Sequence, residues 1–275
     1  MFKVQSFKLC SQSKERNNED FCIGFFRIGH QFCGHHSIDS VSEAATGGFG
    51  DQTEQINKTV TLNPGANVSV SGINGFVKVE TWDGNSAEIN ILIKAADRRT
   101  IDCKPMTVVN TPDSLIIKSE DIKECKQSWG RIRHEVTLKL PRQINMKVSG
   151  VNGEVSVGQI TGEIALSGIN GKVTAAQAGF ATNISGINGG VSVALMKINA
   201  QGLKVSGING GVDIFVPVDI NADVDIRGIN GGIDTDLPVN VRGEITRGQL
   251  IGTLGSGGNK LSVSGINGGV RLKRS

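Results

Sequence analysis

Five groups of residues in this 275-residue chain are of types that could do chemistry. Asp213 and Asp234 stand 21 residues apart, each just after an apolar residue that follows Gly-Gly, and Asp219, Asp223, Asp225 and Asp236 lie around them. Carboxylates stacked on neighbouring strands would lie about 5 Å apart. Such a face could hold calcium, or serve a lyase or hydrolase acting on polysaccharide. His134 is the only histidine after residue 50, so a Ser–His–Asp triad would need it, and no G-x-S-x-G accompanies it. Its setting, "RIRHEVTLKL", reads as a surface position on a strand. His30, Cys33, His35 and His36, with Cys22, are metal-ligand types, but zinc needs them on a folded scaffold and none is evident there. "SGINGKVT" faintly resembles a phosphate loop, yet Lys172 lacks the glycine frame and Val173 stands where Ser or Thr is required. Cys103 and Cys125 flank two apolar runs around "NTPDS", a hairpin pattern. They could close it as a disulfide in an oxidising compartment, or stand as two free thiols. None of these groups calls for a cofactor or a resident metal.

The elements that would carry these residues come from a repeat. The phrase G-[IV]-N-G recurs at Gly72, Gly150, Gly168, Gly186, Gly207, Gly228 and Gly265. From Gly150 the spacings are 18, 18, 21, 21 and 37, the last near two periods. Between copies, apolar residues alternate with polar ones: Val155 and Val157 around Ser156, Val173 and Ala175 around Thr174, Val212 and Ile214 around Asp213. That alternation marks strands with one buried face. The glycine density forbids regular helices.

Short strands of constant period, with equivalent residues at equivalent places, predict an all-β chain. The expected form is a β-solenoid of about seven coils of 18–21 residues over 142–275, capped by a less regular β-strand region over 51–141. Asn-Gly supplies a tight corner, and the glycine before Ile leaves room where the chain bends. Asn74, Asn152, Asn170, Asn188, Asn209, Asn230 and Asn267 hold equivalent places, and the last six could stack as an amide ladder. "RGEITRGQLIGTLGSGGNK" reads as a degenerate coil, and "RLKRS" as charge that blocks the final edge.

Residues 1–50 differ. They hold seven of the ten Phe and three of the five Cys, and read as a leader, a misassigned start or a poorly ordered segment. No stretch reaches the roughly 18 apolar residues of a membrane helix. A net charge of +3 does not announce nucleic acid, and with no Tyr and two Trp there are few aromatic platforms for one.

On residues 55–275, the GIN phrase with "GFVKVETWDGNSAEINI" (75–91) and "GTLGSGGNKLSVSGINGGVRL" (252–272) resembles the bacterial "putative adhesin" group, including the auto-transporter adhesin head GIN domain and related β-strand-repeat proteins. The resemblance implies a non-catalytic protein of the cell envelope or secreted space. Its contacts would be with a surface protein or a polysaccharide. The rival expectation is a carbohydrate-active enzyme using the acidic face around Asp213–Asp236.

Overall fold

The computed structural model describes residues 52–122, 125, 130–242 and 246–275. The leader assignment and the His30, Cys33, His35, His36 and Cys22 group lie outside them.

Alternating apolar residues produce alternating burial. In "INMKVSGV" Ile144, Met146, Val148 and Val151 are buried while Asn145, Lys147 and Ser149 face outward. The strands run β1 Gln52–Thr61, β2 Ala66–Ser71, β3 Gly75–Trp82, β4 Ser86–Ala95, then helix α1 Arg98–Cys103. β5 Met106–Thr111, β6 Ser114–Ser119, β7 Ile132–Pro141, β8 Ile144–Val151 and β9 Val155–Gln159 follow. Next come β10 Glu163–Ile169, β11 Val173–Ala178, β12 Phe180–Ile187, β13 Val191–Leu195, β14 Leu203–Ile208 and β15 Val212–Val216. The last are β16 Ala222–Ile229, β17 Ile233–Thr235, β18 Val239–Val241, β19 Gln249–Leu254, β20 Lys260–Ile266 and β21 Val270–Arg274.

From β8 to β17, successive strands alternate between two sheets. One sheet has ten strands, in the order β1-β4-β7-β3-β9-β11-β13-β15-β21-β17. The other has eleven, in the order β18-β19-β16-β20-β14-β12-β10-β8-β2-β6-β5. One continuous apolar core, from Leu62 to Leu272, lies between them. Lateral rows build it. Val70, Val148, Leu166, Ile184, Val205, Val263 and Ile226 are register partners across the eleven-stranded sheet. All seven are 1% exposed or less. Each such side chain contributes about 1.5–3 kcal/mol by leaving water.

This architecture overturns the expected β-solenoid of about seven coils. The strands form two large mixed sheets, and neither is closed. Parallel pairing at the repeat spacing holds only in the middle, as in β8–β10–β12–β14. At one end β1, β4 and β7 pair antiparallel, and β5 and β6 form an antiparallel hairpin. At the other, β16, β19 and β18 pair antiparallel. The stretch expected to be a degenerate coil, residues 242–260, instead supplies β19, which pairs antiparallel with β16 and β18, and it lacks the G-[IV]-N-G phrase that makes the corner in the other repeats.

Strand order departs from sequence order as well. β20 lies between β14 and β16, and β21 between β15 and β17. "RLKRS" is therefore not an edge. Its Arg271 and Lys273 sit inside the ten-stranded sheet, flanked by β15 and, for Arg271, by Asp234 of β17.

Candidate functional site

The repeated phrase builds the corners between the two sheets. Its left-handed residue is the first glycine, with φ of +59° at Gly168 and +62° at Gly186. The glycine after Asn is required by close approach. A Cβ on Gly171 would stand 2.2 Å from the Gly153 carbonyl oxygen.

The corner asparagines meet in one line of hydrogen bonds. Asn152 Nδ2 donates to Asn74 Oδ1 at 3.0 Å, Asn170 to Asn152 at 2.9 Å, Asn188 to Asn170 at 2.9 Å and Asn209 to Asn188 at 2.8 Å. Asn267 then donates to Asn209 at 2.9 Å, and Asn230 to Asn267 at 3.3 Å. The order of the last two is reversed relative to the sequence because β20 is inserted. Asn74 belongs to the line too, and its own Nδ2 donates to the Ile132 carbonyl at 2.8 Å. These amides spend their donors and acceptors on one another, so the line is structural. Replacing Asn188 by Ala removes two of these bonds, and the site is solvent-exposed. A loss of about 1 kcal/mol in urea unfolding is expected. Asn188→Asp should lose more at pH 7, since a carboxylate cannot donate to Asn170 Oδ1, and should regain part of the loss where the Asp protonates.

A second row was not singled out in the sequence. Ser71, Ser149, Ser167, Ser185, Ser206 and Ser264 are register partners on the outer face of the eleven-stranded sheet, ending at Arg227. Its signal was present: a serine precedes each of these G-[IV]-N copies. The hydroxyls repeat at about 4.8 Å, the strand spacing.

On the same face is an open cleft of about 540 Å³ across β6, β2, β8, β10 and β12. Ile116 and Ala165 give it apolar surface. Around them stand Asn67, Asn145, Lys147, Glu163, Ser167 and Asn183. Asn145 is fixed by donating to the Gly65 carbonyl at 3.1 Å and by accepting from the Glu163 amide at 3.0 Å. The Glu163 carboxylate accepts from the Thr182 hydroxyl. Lys147 is exposed and has no ion-pair partner among the described residues. The cleft thus offers amides, hydroxyls and a cation, with one occupied carboxylate. It can hold a hydroxylated or anionic chain.

The aspartates lie elsewhere, and β21 separates Asp213 from Asp234 instead of leaving them adjacent. Arg271 from β21 takes the Asp213 carboxylate with both Nε and Nη2, at 2.5 Å each. Lys273 Nζ stands 2.8 Å from Asp234, and the Arg274 amide donates to Asp236 at 3.0 Å. Asp225 is paired with Arg227 at 2.6 Å. Four of the six carboxylates, those of Asp213, Asp225, Asp234 and Asp236, are thus held separately on different partners. Among the described residues no three His, Cys, Asp or Glu side chains gather as ligands for a metal ion.

His134 corrects another expectation. It is 1% exposed, in the core, not on the strand surface. Its Nδ1 accepts from the Asn74 amide at 3.1 Å, and its Nε2 has no partner among the described residues. Burial pushes its pKa down to about 4, helped by the positive charge of Lys104. Cys103 and Cys125 form a disulfide that ties the end of α1 to the segment after β6. Trp82 has Lys139 4.8 Å over its ring, and a Cβ on Gly84 would strike that ring at 2.6 Å, so it is not a free stacking platform. No helix among the described residues is long and apolar enough to cross a membrane.

No protein-family model matches the chain, and no curated protein matches it. Solved structures do. A "putative cell adhesion protein" from Clostridium sporogenes is 17% identical, with a TM-score of 0.44, over 82% of this chain and 100% of that one. A "putative adhesin" from Parabacteroides merdae is 13% identical, with a TM-score of 0.29, over 81% and 97%. A "putative adhesin" from Bacteroides fragilis is 11% identical, with a TM-score of 0.28, over 82% and 100%. The chain is thus similar, at low identity, to solved proteins that carry adhesin names.

Proposed function

We propose that this chain is a non-catalytic protein of the cell envelope or secreted space, of the adhesin type and akin to the GIN-domain group, which holds a polymer on the outer face of its eleven-stranded sheet. The observation that carries the reading is the cleft beside the serine row. Fixed amides, an unpaired lysine and hydroxyls at one-strand intervals give many weak, identical contacts on a rigid support, which suits a repeating chain. The disulfide supports the compartment, since such bonds persist where the surroundings are oxidising. The non-catalytic character rests on the carboxylates: Asp213, Asp234, Asp225 and Asp236 are held by Arg271, Lys273, Arg227 and a backbone amide, and Glu163 by Thr182.

The test is binding of the purified chain to immobilised acidic and neutral polysaccharides. Lys147→Glu should lower affinity for the acidic polymers about tenfold, one charged contact of about 1.4 kcal/mol, while the melting temperature stays within a degree or two. Equal binding by parent and variant would move the contact away from this cleft. Release of shortened sugar products would end the non-catalytic reading.

A further inference from the structure

In the middle of the molecule, strand pairs that neighbour each other in sequence also neighbour each other in space. The final two do not. β16 and β17 follow β15 in the chain, yet they stand one strand away from β14 and β15, and the gap is filled by β20 and β21. Residues 260–274 are therefore a plug in a slot. Both walls are parallel strand edges. β20 pairs with β14 from Leu203↔Leu261 to Ile208↔Ile266, and with β16 from Asp223↔Lys260 to Ile229↔Ile266. β21 pairs with β15 over five residues and with β17 over three.

The plug's fastenings are strong but local. Leu261, Val263, Ile266, Val270 and Leu272 are each 1% exposed or less. Asn267 bridges Asn209 and Asn230, Arg271 reaches Asp213, and Lys273 reaches Asp234. Its connection to the rest is rich in glycine. Residues 255–259, "GSGGN", link β19 to β20, and Gly255, Gly257 and Gly258 have φ of +55°, +75° and +118°. A Cβ on Gly258 would meet nothing within 4 Å. Ser256 donates to Asn221 Oδ1 from its amide at 2.8 Å and from its hydroxyl at 3.1 Å, and Asn259 Nδ2 donates to the Ile198 carbonyl at 2.7 Å, so these few bonds on a Gly-rich segment are what a change of its path has to break. Residues 203–254 are also synthesised before the plug, so the slot's two edges exist before their occupant does.

We propose that this slot is a strand acceptor for a second copy of the chain: the 260–274 pair of one molecule can occupy the slot of another, giving a strand-exchanged dimer. The occupant is another copy because the slot is shaped for this one sequence. Its register needs Val263 between Val205 and Ile226, Asn267 between Asn209 and Asn230, and Arg271 between Asp213 and Asp234. Exchange of an identical element keeps each of these contacts and changes only the path of the tether.

The experiment mixes two full-length variants, Ser206→Cys and Ser264→Cys, whose residues face each other across β14 and β20. The mixture is incubated at rising concentration and oxidised, and the crosslinked peptides are identified by mass. A parallel mixture pairs Ser185→Cys with Ser206→Cys, neighbours on strands that do not move in the exchange. The expected result is a 206–264 interchain disulfide in the first mixture that rises with concentration, a shift from monomer to dimer mass, and no corresponding product in the second. Lys204→Cys with Ser262→Cys, the adjacent register pair, should repeat it if either first variant folds poorly. Equal crosslinking in both mixtures means random collision and overturns the proposal. So does the absence of interchain product under conditions where hydrogen exchange shows the amides of 261–273 opening, and so does protection of those amides up to global unfolding.

Discussion

Gly189→Ala will destabilise the protein by about 3–4 kcal/mol, while Gly190→Ala, one residue on, will stay within about 0.5 kcal/mol of the parent. A Cβ on Gly189 would stand 2.3 Å from the Gly171 carbonyl oxygen, 2.6 Å from its carbon and 3.2 Å from the Lys172 nitrogen. All three are backbone atoms of the preceding corner. They cannot retreat without pulling Asn170 away from Asn188 and shifting the Val191 and Val173 partners in the core. A Cβ on Gly190 meets only the Gly211 carbonyl oxygen, at 3.9 Å, an ordinary contact. Alanine there also narrows the unfolded ensemble, which offsets small strain. Urea unfolding of the two variants beside the parent measures the difference. Equal, small losses would mean that the corners are loose enough to yield. The stacking of one G-[IV]-N-G phrase directly on the next would then not be what holds the repeats in register.

Much of this was legible in the residues. The period-2 alternation locates the strands because a pleated strand puts every second side chain on one face, and "VSV", "VTA" and "VDI" leave no other amphipathic choice. The asparagine line follows from equal spacing of equal residues. The serine row could have been found the same way, from the serine before each G-[IV]-N. His134 was legible as well. Ile132, His134, Val136, Leu138 and Leu140 share one parity, so a strand that buries the other four buries the imidazole with them. The charged neighbours Arg131, Arg133 and Glu135 belong to the opposite face and mislead only if parity is ignored.

Strand order was not legible, and the reason is physical. The interval of 37 between Gly228 and Gly265 is near two periods, which suits an intervening degenerate repeat as well as an excursion. Which occurs depends on long-range competition. β19 pairs antiparallel along the outer side of β16, from Ala222↔Leu254 to Arg227↔Gln249, and occupies that edge. The remaining partner with a matching apolar row is the gap between β14 and β16. The same insertion decides the fate of the acidic group. Asp213 and Asp234 have matched positions in sequence, yet the strand that comes between them carries Arg271 at that register. A carboxylate pair on the linear map becomes an Asp–Arg–Asp row in space. Only the fold distinguishes a candidate acidic cleft from a neutralised seam.

Acidification from pH 7 to pH 4 will remove roughly 3 kcal/mol of stability through His134 alone, and His134→Gln will lack that component. The imidazole is in the core, with Ile93 and Gly75 as its register partners on either side. Its Nδ1 accepts the Asn74 amide, so the neutral ring carries its hydrogen on Nε2. A second proton would have to sit on Nδ1, facing an N–H that already points there. The charge would also be buried, with the Lys104 cation near it. Both effects favour the neutral form, and the folded-state pKa is about 4 against an ordinary 6.5. The direction follows from proton uptake. Between these two values the unfolded chain holds the proton and the folded one does not, so stability is complete above pH 6.5 and falls as pH drops towards 4. The loss should be felt first at one end of the asparagine line, because the Asn74 amide is held by the ring and Asn74 Oδ1 receives Asn152. Unfolding free energy measured at half-unit steps from pH 7 to pH 4 checks the slope. Amide exchange at Asn74 and Asn152 checks the place. A parent curve parallel to that of His134→Gln would show that the imidazole is protonated in the fold without penalty, and that the buried ring does not anchor the line.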